Sequence, residues 1–208
     1  MERRLGLLAA GLLMIALVVG GLILLVRAGG SDHIEGDVVI FGDSVTHLSA
    51  DPIVDQVGAE DLEILAVPGF RSTDLLPVLQ GAIGDRGGSD SDGLQKAAFL
   101  VGYNDVLDDA LEENVLAEMV ELSSQFDCAV WLALPGGFGD ETDDLLRSEI
   151  DRYESVHFDT GWAEAVEADR SLLQDDGVHP NQDGARALAE AYREALDDRC
   201  DSGPVLLP

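Results

Sequence analysis

Five short apolar runs punctuate the chain at intervals: VVIF (38–41), LEILAV (62–67), AAFLV (97–101), AVWLAL (129–134) and VHFD (156–159). Each has the length and the β-branched or aromatic content of a strand. Between them lie segments with helical spacing, clearest in LEENVLAEMVELSSQF (111–126), where Val115, Met119, Leu122 and Phe126 mark one core-facing stripe. ETDDLLRSEIDRY (141–153) and ARALAEAYREAL (185–196) behave likewise, the second preceded by Asn181 and Asp183, which suit a helix start and its positive dipole end. Strands that alternate with helices favour an α/β fold, a three-layer α/β/α sandwich around a five-stranded parallel sheet. Ligands in such sheets sit outside the carboxyl ends of the strands. Those ends carry Gly42-Asp43-Ser44, Pro68-Gly69, Gly102-Tyr103-Asn104-Asp105 and Pro135-Gly136-Gly137, with the loop Asp175 to Asn181 before the last helix.

Ahead of this domain, Leu5 to Val26 contain no charged residue. As a helix they span roughly 33 Å, about one hydrocarbon core. Arg3 and Arg4 precede the run and only Arg27 closely follows it, so the positive-inside rule places residues 1–4 in the cytoplasm. The resulting order is a transmembrane signal anchor at 5–26, a linker at 27–36, an extracytoplasmic domain at 37–200 and a C-terminal tail at 201–208. A cleaved signal peptide and a secreted domain are the alternative, although secretory apolar cores usually run only about 7–15 residues.

The formal net charge is −29. Such an excess argues against nucleic acid as a partner and against anionic membrane surfaces, and it suits a solvated acidic exterior. Cys128 and Cys200 are too few for a disulfide scaffold and wrongly spaced for a zinc ribbon. Both fall at the sheet end opposite the strand C-termini, where they can pair outside the cytoplasm or remain as buried thiols.

A serine directly after a strand is usually a turn residue. To act as a nucleophile, Ser44 needs a base within hydrogen-bond reach, an acid to orient that base, and donors aimed at the developing oxyanion. Of the four histidines, His33 lies in the linker, His47 follows Ser44, and His157 sits in the fifth run, where a structural role is the default. His179 has Asp176 three positions before it, in a turn bounded by Gly177 and Pro180. Taken singly, that pair equally suits a helix cap.

Together, GDS after the first strand, Gly69 after the second, GYND after the third and DGVHPN before the last helix resemble, in order, the four sequence blocks of the SGNH/GDSL hydrolases. The resemblance covers about residues 37 to 197. It implies the flavodoxin-like SGNH hydrolase fold, with Ser44 as nucleophile, His179 as base and then acid, and Asp176 as the group that fixes the imidazole tautomer. It further implies an oxyanion hole formed by the N–H groups of Ser44 and Gly69 and the side-chain amide of Asn104, with no metal and no cofactor. Gly42 allows the sharp turn, and Asp43 and Asp105 are read as tying turns to nearby backbone N–H groups. Tyr103 and Trp162 are read as packing ahead of lining the site. The second block departs from the family, with Val67 where an Asn is common. A Gly-x-Ser-x-Gly elbow is absent, because Thr46 stands where the second glycine would be.

The function implied is a serine esterase acting on carboxylic esters through an acyl-serine intermediate. Short loops and the polar stretch GDRGGSDSDG (84–93) suit an open site, and hence small acyl groups on a carbohydrate or other extracytoplasmic substrate. Alternatives are an acyltransferase using the same serine, a lysophospholipase or thioesterase, and a non-catalytic glycan binder. A metal-dependent phosphoesterase would need Asp43, His47, Asn104, Asp105 and His179 as ligands, and would leave Ser44 unused. A receiver-like domain is disfavoured because the only lysine, Lys96, precedes the third strand.

Overall fold

The five runs become β1 (Asp37–Gly42), β2 (Asp61–Ala66), β3 (Gln95–Leu100), β4 (Cys128–Leu132) and β5 (Val156–Asp159). The helices are α1 (Ser44–Leu48), α2 (Ala50–Val57), α3 (Ser72–Arg86), α4 (Tyr103–Leu107), α5 (Glu113–Ser123), α6 (Asp140–Ile150), α7 (Gly161–Ala168) and α8 (Gln182–Leu196), with a 3₁₀ turn at Arg170–Leu172 and a π turn at Asp197–Asp201. This is a computed structural model, and it describes residues 37–59, 61–86 and 95–201. The expected cytoplasmic segment, anchor and linker, and residues 202–208, lie outside the described residues. So do residues 87–93 of the polar stretch, whose beginning is absorbed into α3.

All strand pairs are parallel and the order is β2-β1-β3-β4-β5. Alternation along each strand divides the core into two layers. Val38, Ile40, Leu62, Ile64, Ala98, Leu100, Val130 and Leu132 face α2, α7 and α8. Val39, Phe41, Ala97, Phe99, Ala129 and Trp131 face α3, α5 and α6. In register across three strands, Phe41 stacks on Phe99 at 4.8 Å and Phe99 on Trp131 at 4.5 Å. The buried Trp131 indole N–H donates to Ser123 Oγ at 3.1 Å, so the ladder leaves no polar atom stranded. Val115, Met119 and Phe126 of the expected stripe are buried, and Leu122 packs at its edge.

At the opposite end from the candidate site, Cys128 and Cys200 form a disulfide with their Cα atoms 5.7 Å apart. Beside it the Lys96 ammonium, 1% exposed, is ion-paired with Asp201. This bond explains two departures from the sequence reading. β3 begins before its apolar run, because the buried Lys96 ammonium is neutralised by Asp201, and the π turn continues to Asp201, one residue into the expected tail.

The sheet order also fixes where a site can form. The chain leaves β1 for one edge and crosses back to continue as β3 on the other side of β1. This reversal opens a crevice at the carboxyl ends of the central strands, and Ser44 and Asn104 both lie there.

Candidate active site

Ser44 is the first residue of α1, the single short turn after β1. Asp43 caps that turn, its Oδ1 accepting from Val45 N–H at 2.9 Å. Gly42 is required for a different reason from the expected one. Its backbone is not in the left-handed region, yet a Cβ there would lie 2.1 Å from Thr46 Oγ1. Thr46 is fully buried and hydrogen-bonds Tyr192 Oη at 2.9 Å, which pins α1 to α8. Thr46 therefore occupies the space that a second elbow glycine would leave open.

The histidine loop is fixed locally. Asp176 Oδ1 accepts from the N–H groups of Val178 and His179 at 2.9 and 3.0 Å, and its Oδ2 meets His179 Nδ1 at 2.7 Å. Gly177 takes φ +71°, which a side chain would resist. Gln174 closes the loop: its N–H donates to His179 O at 2.7 Å and its side-chain amide to Pro180 O. Asn181 then caps α8 through bonds from Asp183 and Gly184 N–H. His179 Nε2 lies 2.9 Å from Ser44 Oγ, across 135 residues of sequence. The bond from the imidazole, followed by the two backbone N–H groups, holds the Asp176 carboxyl down at about 2, so it is an anion at neutral pH. With Nδ1–H donating to that anion, Nε2 is left to accept from Ser44.

The loop after β2 abuts β1, Val67 N–H donating to Gly42 O at 3.2 Å. Gly69 takes φ +81°, and its N–H has no partner among the described residues. The Asn104 side-chain nitrogen donates to Phe70 O at 2.9 Å and to Asp43 Oδ2 at 3.2 Å. Asp105 does not tie its own turn: it reaches across to Ser72, 33 residues away. Ser72, Phe70 O and an Arg71–Asp108 ion pair of 2.9 Å are the parts of the site that sequence reasoning does not name. The only local signal for them is the polar Arg-Ser-Thr-Asp run at 71–74, directly after Phe70. Tyr103 and Trp162 are buried packing, with the indole N–H donating to Tyr103 Oη at 3.0 Å.

The five side chains weighed as metal ligands do not converge. No three His, Cys, Asp or Glu side chains among the described residues are grouped to hold an ion. Asp43 and Asp105 are committed to Val45, Asn104 and Ser72.

Neither a protein-family model nor a curated sequence matches the chain. Solved structures do match. A lipolytic protein of the G-D-S-L family from Veillonella parvula superposes at TM-score 0.60 with 17% identity, covering 76% of this chain and 96% of that one. The fold is that of the GDSL lipolytic proteins. The C-terminal catalytic domain of peptidoglycan O-acetyltransferase A from Streptococcus pneumoniae also gives TM-score 0.60, at 13% identity over 85% of this chain and 97% of its own. A carbohydrate esterase of family 3 from Talaromyces cellulolyticus gives 0.55, at 15% identity over 78% and 97%.

Buried acids make stability depend on pH. Burial raises the Asp43 carboxyl to about 6, against the pull of its Val45 bond, and burial likewise raises Asp143, which accepts from Leu134 N–H, to about 6. Both bind protons more tightly folded than unfolded, so their contribution to stability is present below about pH 4 and lost as pH rises through about 6. Asp176 has the opposite sign, its contribution vanishing as pH falls from about 4 towards 2. Protonation also relieves self-repulsion in a chain of charge −29. The melting temperature is therefore expected to be higher at about pH 5 than at about pH 7.5, and to fall again below about pH 4. A thermal-denaturation series across that range checks the sign, and a steady rise from pH 5 to 7.5 contradicts it.

Proposed function

We propose that the protein is a serine esterase, hydrolysing small acyl groups carried on a carbohydrate or another extracytoplasmic substrate. The observation that carries this reading is the unbroken hydrogen-bonded line Ser44 Oγ, His179, Asp176 at the crevice of the sheet. Ser44 Oγ attacks the ester carbonyl as His179 Nε2 takes its proton. Asp176 stabilises the imidazolium, and the proton then passes to the departing alcohol. Water activated by the same imidazole releases the acid from the acyl-serine. The N–H groups of Ser44 and Gly69 and the Asn104 amide receive the oxyanion. Asn104 shifts the proton now shared with Asp43, the longer of its two contacts, and keeps the one on Phe70 O. Neither a metal nor a cofactor enters any step.

Carbohydrate substrates are supported by the two neighbours whose names refer to peptidoglycan and to carbohydrate esters. An extracytoplasmic, membrane-anchored domain is supported by the apolar run Leu5 to Val26 and by the disulfide, which persists in oxidising surroundings. The second reading, transfer of the acyl group to a sugar hydroxyl, is favoured by the fit to the acetyltransferase domain, as good as that to the lipolytic protein.

Purified segment 29–208 is expected to hydrolyse nitrophenyl esters of two to twelve acyl carbons with a maximum at the short end. It should be inactivated by a sulfonyl fluoride whose mass maps to Ser44 and be insensitive to EDTA. A long-chain maximum redirects the substrate to lysophospholipids or thioesters. Acyl transfer to an added sugar in preference to water selects the transferase. An absence of serine-dependent turnover at every length refutes both.

A further inference from the structure

Ser72 and Asp105 are both fully buried. Ser72 N–H lies 3.2 and 3.0 Å from the two carboxylate oxygens of Asp105, and Ser72 Oγ donates to Oδ1 at 2.6 Å. Neither residue hydrogen-bonds Ser44, His179 or Asp176. Ser72 opens α3 after β2 and Asp105 lies in α4 after β3, and β2 and β3 are not neighbours: β1 separates them. No main-chain ladder can therefore set the distance between these segments, and whatever joins them must pass over the end of β1, where Ser44 sits.

Among the described residues, three ties make that crossing. Arg71–Asp108 is solvent-exposed, with side chains 42% and 53% accessible, and exposed ion pairs hold geometry weakly. Asn104 to Phe70 O is a single bond made by a group that must also serve the oxyanion. The third, Ser72–Asp105, is dry and charge-assisted, and the carboxylate also faces the N-terminal end of α3, where negative charge is favoured. Ser72 is three residues after Gly69, and Asp105 directly follows Asn104.

We infer that the buried Ser72–Asp105 pair is a positioning device that sets the separation of the Gly69 N–H and the Asn104 amide across the nucleophile. The pair acts through those two donors and takes no part in proton transfer. Its kinetic consequence rests on the esterase reading, and its structural one on the buried Ser72–Asp105 contact. Misplacing a preorganised donor by a fraction of an ångström weakens its bond to the transition state more than its contact with the ground state.

The test uses the full chain and compares Ser72→Ala, Asp105→Asn, Asn104→Ala and the double variant Ser72→Ala/Asn104→Ala. With nitrophenyl acetate, Ser72→Ala is expected to lower kcat about 10- to 100-fold with KM within about twofold. Asp105→Asn, which keeps one acceptor, should fall between it and the wild type. Because the pair works through the oxyanion donors, Ser72→Ala should cost little more once Asn104 is gone, whereas a residue acting on kcat independently of those donors would multiply the losses. A second readout needs no turnover. The Asn104 side-chain amide signals in a ¹⁵N NMR spectrum should be dispersed in the wild type and drawn towards the free-amide position in Ser72→Ala. Unchanged signals, or a lowered melting temperature with unchanged kcat, overturn the inference. Shifted signals in a chain that hydrolyses no ester uphold the positioning and refute the esterase reading.

Discussion

Replacing His179 with alanine is expected to lower kcat/KM for any ester the wild type accepts by about 10⁴- to 10⁶-fold. The reason lies in the 2.9 Å contact to Ser44 Oγ, which is the only hydrogen bond the hydroxyl makes among the described residues. Without that acceptor the hydroxyl stays protonated and is a poor nucleophile, and no group remains to protonate the leaving alcohol. Ser44→Ala should cost as much, and the double variant no more than either, because the two residues act as one unit. Asp176→Asn should cost less, about 10²- to 10⁴-fold, since the amide still meets the imidazole but no longer stabilises its charge. Steady-state kinetics on the four proteins, with circular dichroism to establish folding, decide the matter. The competing base is His47, in the same helical turn as Ser44, whose Nδ1 is buried without a hydrogen-bond partner among the described residues. If His179→Ala keeps more than about a hundredth of the activity and His47→Ala does not, the assignment of the base is wrong.

The second large effect is on stability. The Cys128–Cys200 bridge closes a loop with a sequence separation of 72, and the chain-entropy model gives such a closure about 4 kcal/mol. For a domain of this size that corresponds to a fall of about 8–16 °C in melting temperature. Cys128→Ser/Cys200→Ser should show this fall with no change in kcat at 25 °C, because the bridge lies at the far end of the strands from Ser44. Calorimetry of the native protein with and without reductant provides the same comparison, thiol titration showing that reduction is complete. An unchanged melting temperature after verified reduction would sink the prediction.

Periodicity was enough to read the strands and the strongest helices, since each buries one continuous face. It was silent on α3, where Pro77, Gly81 and Gly84 interrupt any stripe. The short helices α1 and α4, each five residues, are too brief to carry a period and exist because polar groups cap and anchor them. In the site, the loop from Asp176 to His179 is legible because acid and base share one turn, so local spacing encodes their geometry. Contacts between distant turns are not. Nothing near Ser72 marks Asp105 as its partner, and nothing near Lys96 announces Asp201. Each depends on which strands become neighbours, a property of the whole topology. Gly42 shows how a correct residue can carry a wrong reason: the glycine is needed for close approach, where sequence alone suggested a turn.

Lys96 has a practical corollary. The chain has no other lysine, and this one is 1% exposed and ion-paired at the floor of the sheet. Succinimidyl dyes, biotin esters and amine-coupled sensor surfaces therefore find no side chain to react with in the folded domain. Any lysine acylation detected by mass spectrometry reports molecules in which the ion pair between Lys96 and Asp201 has opened.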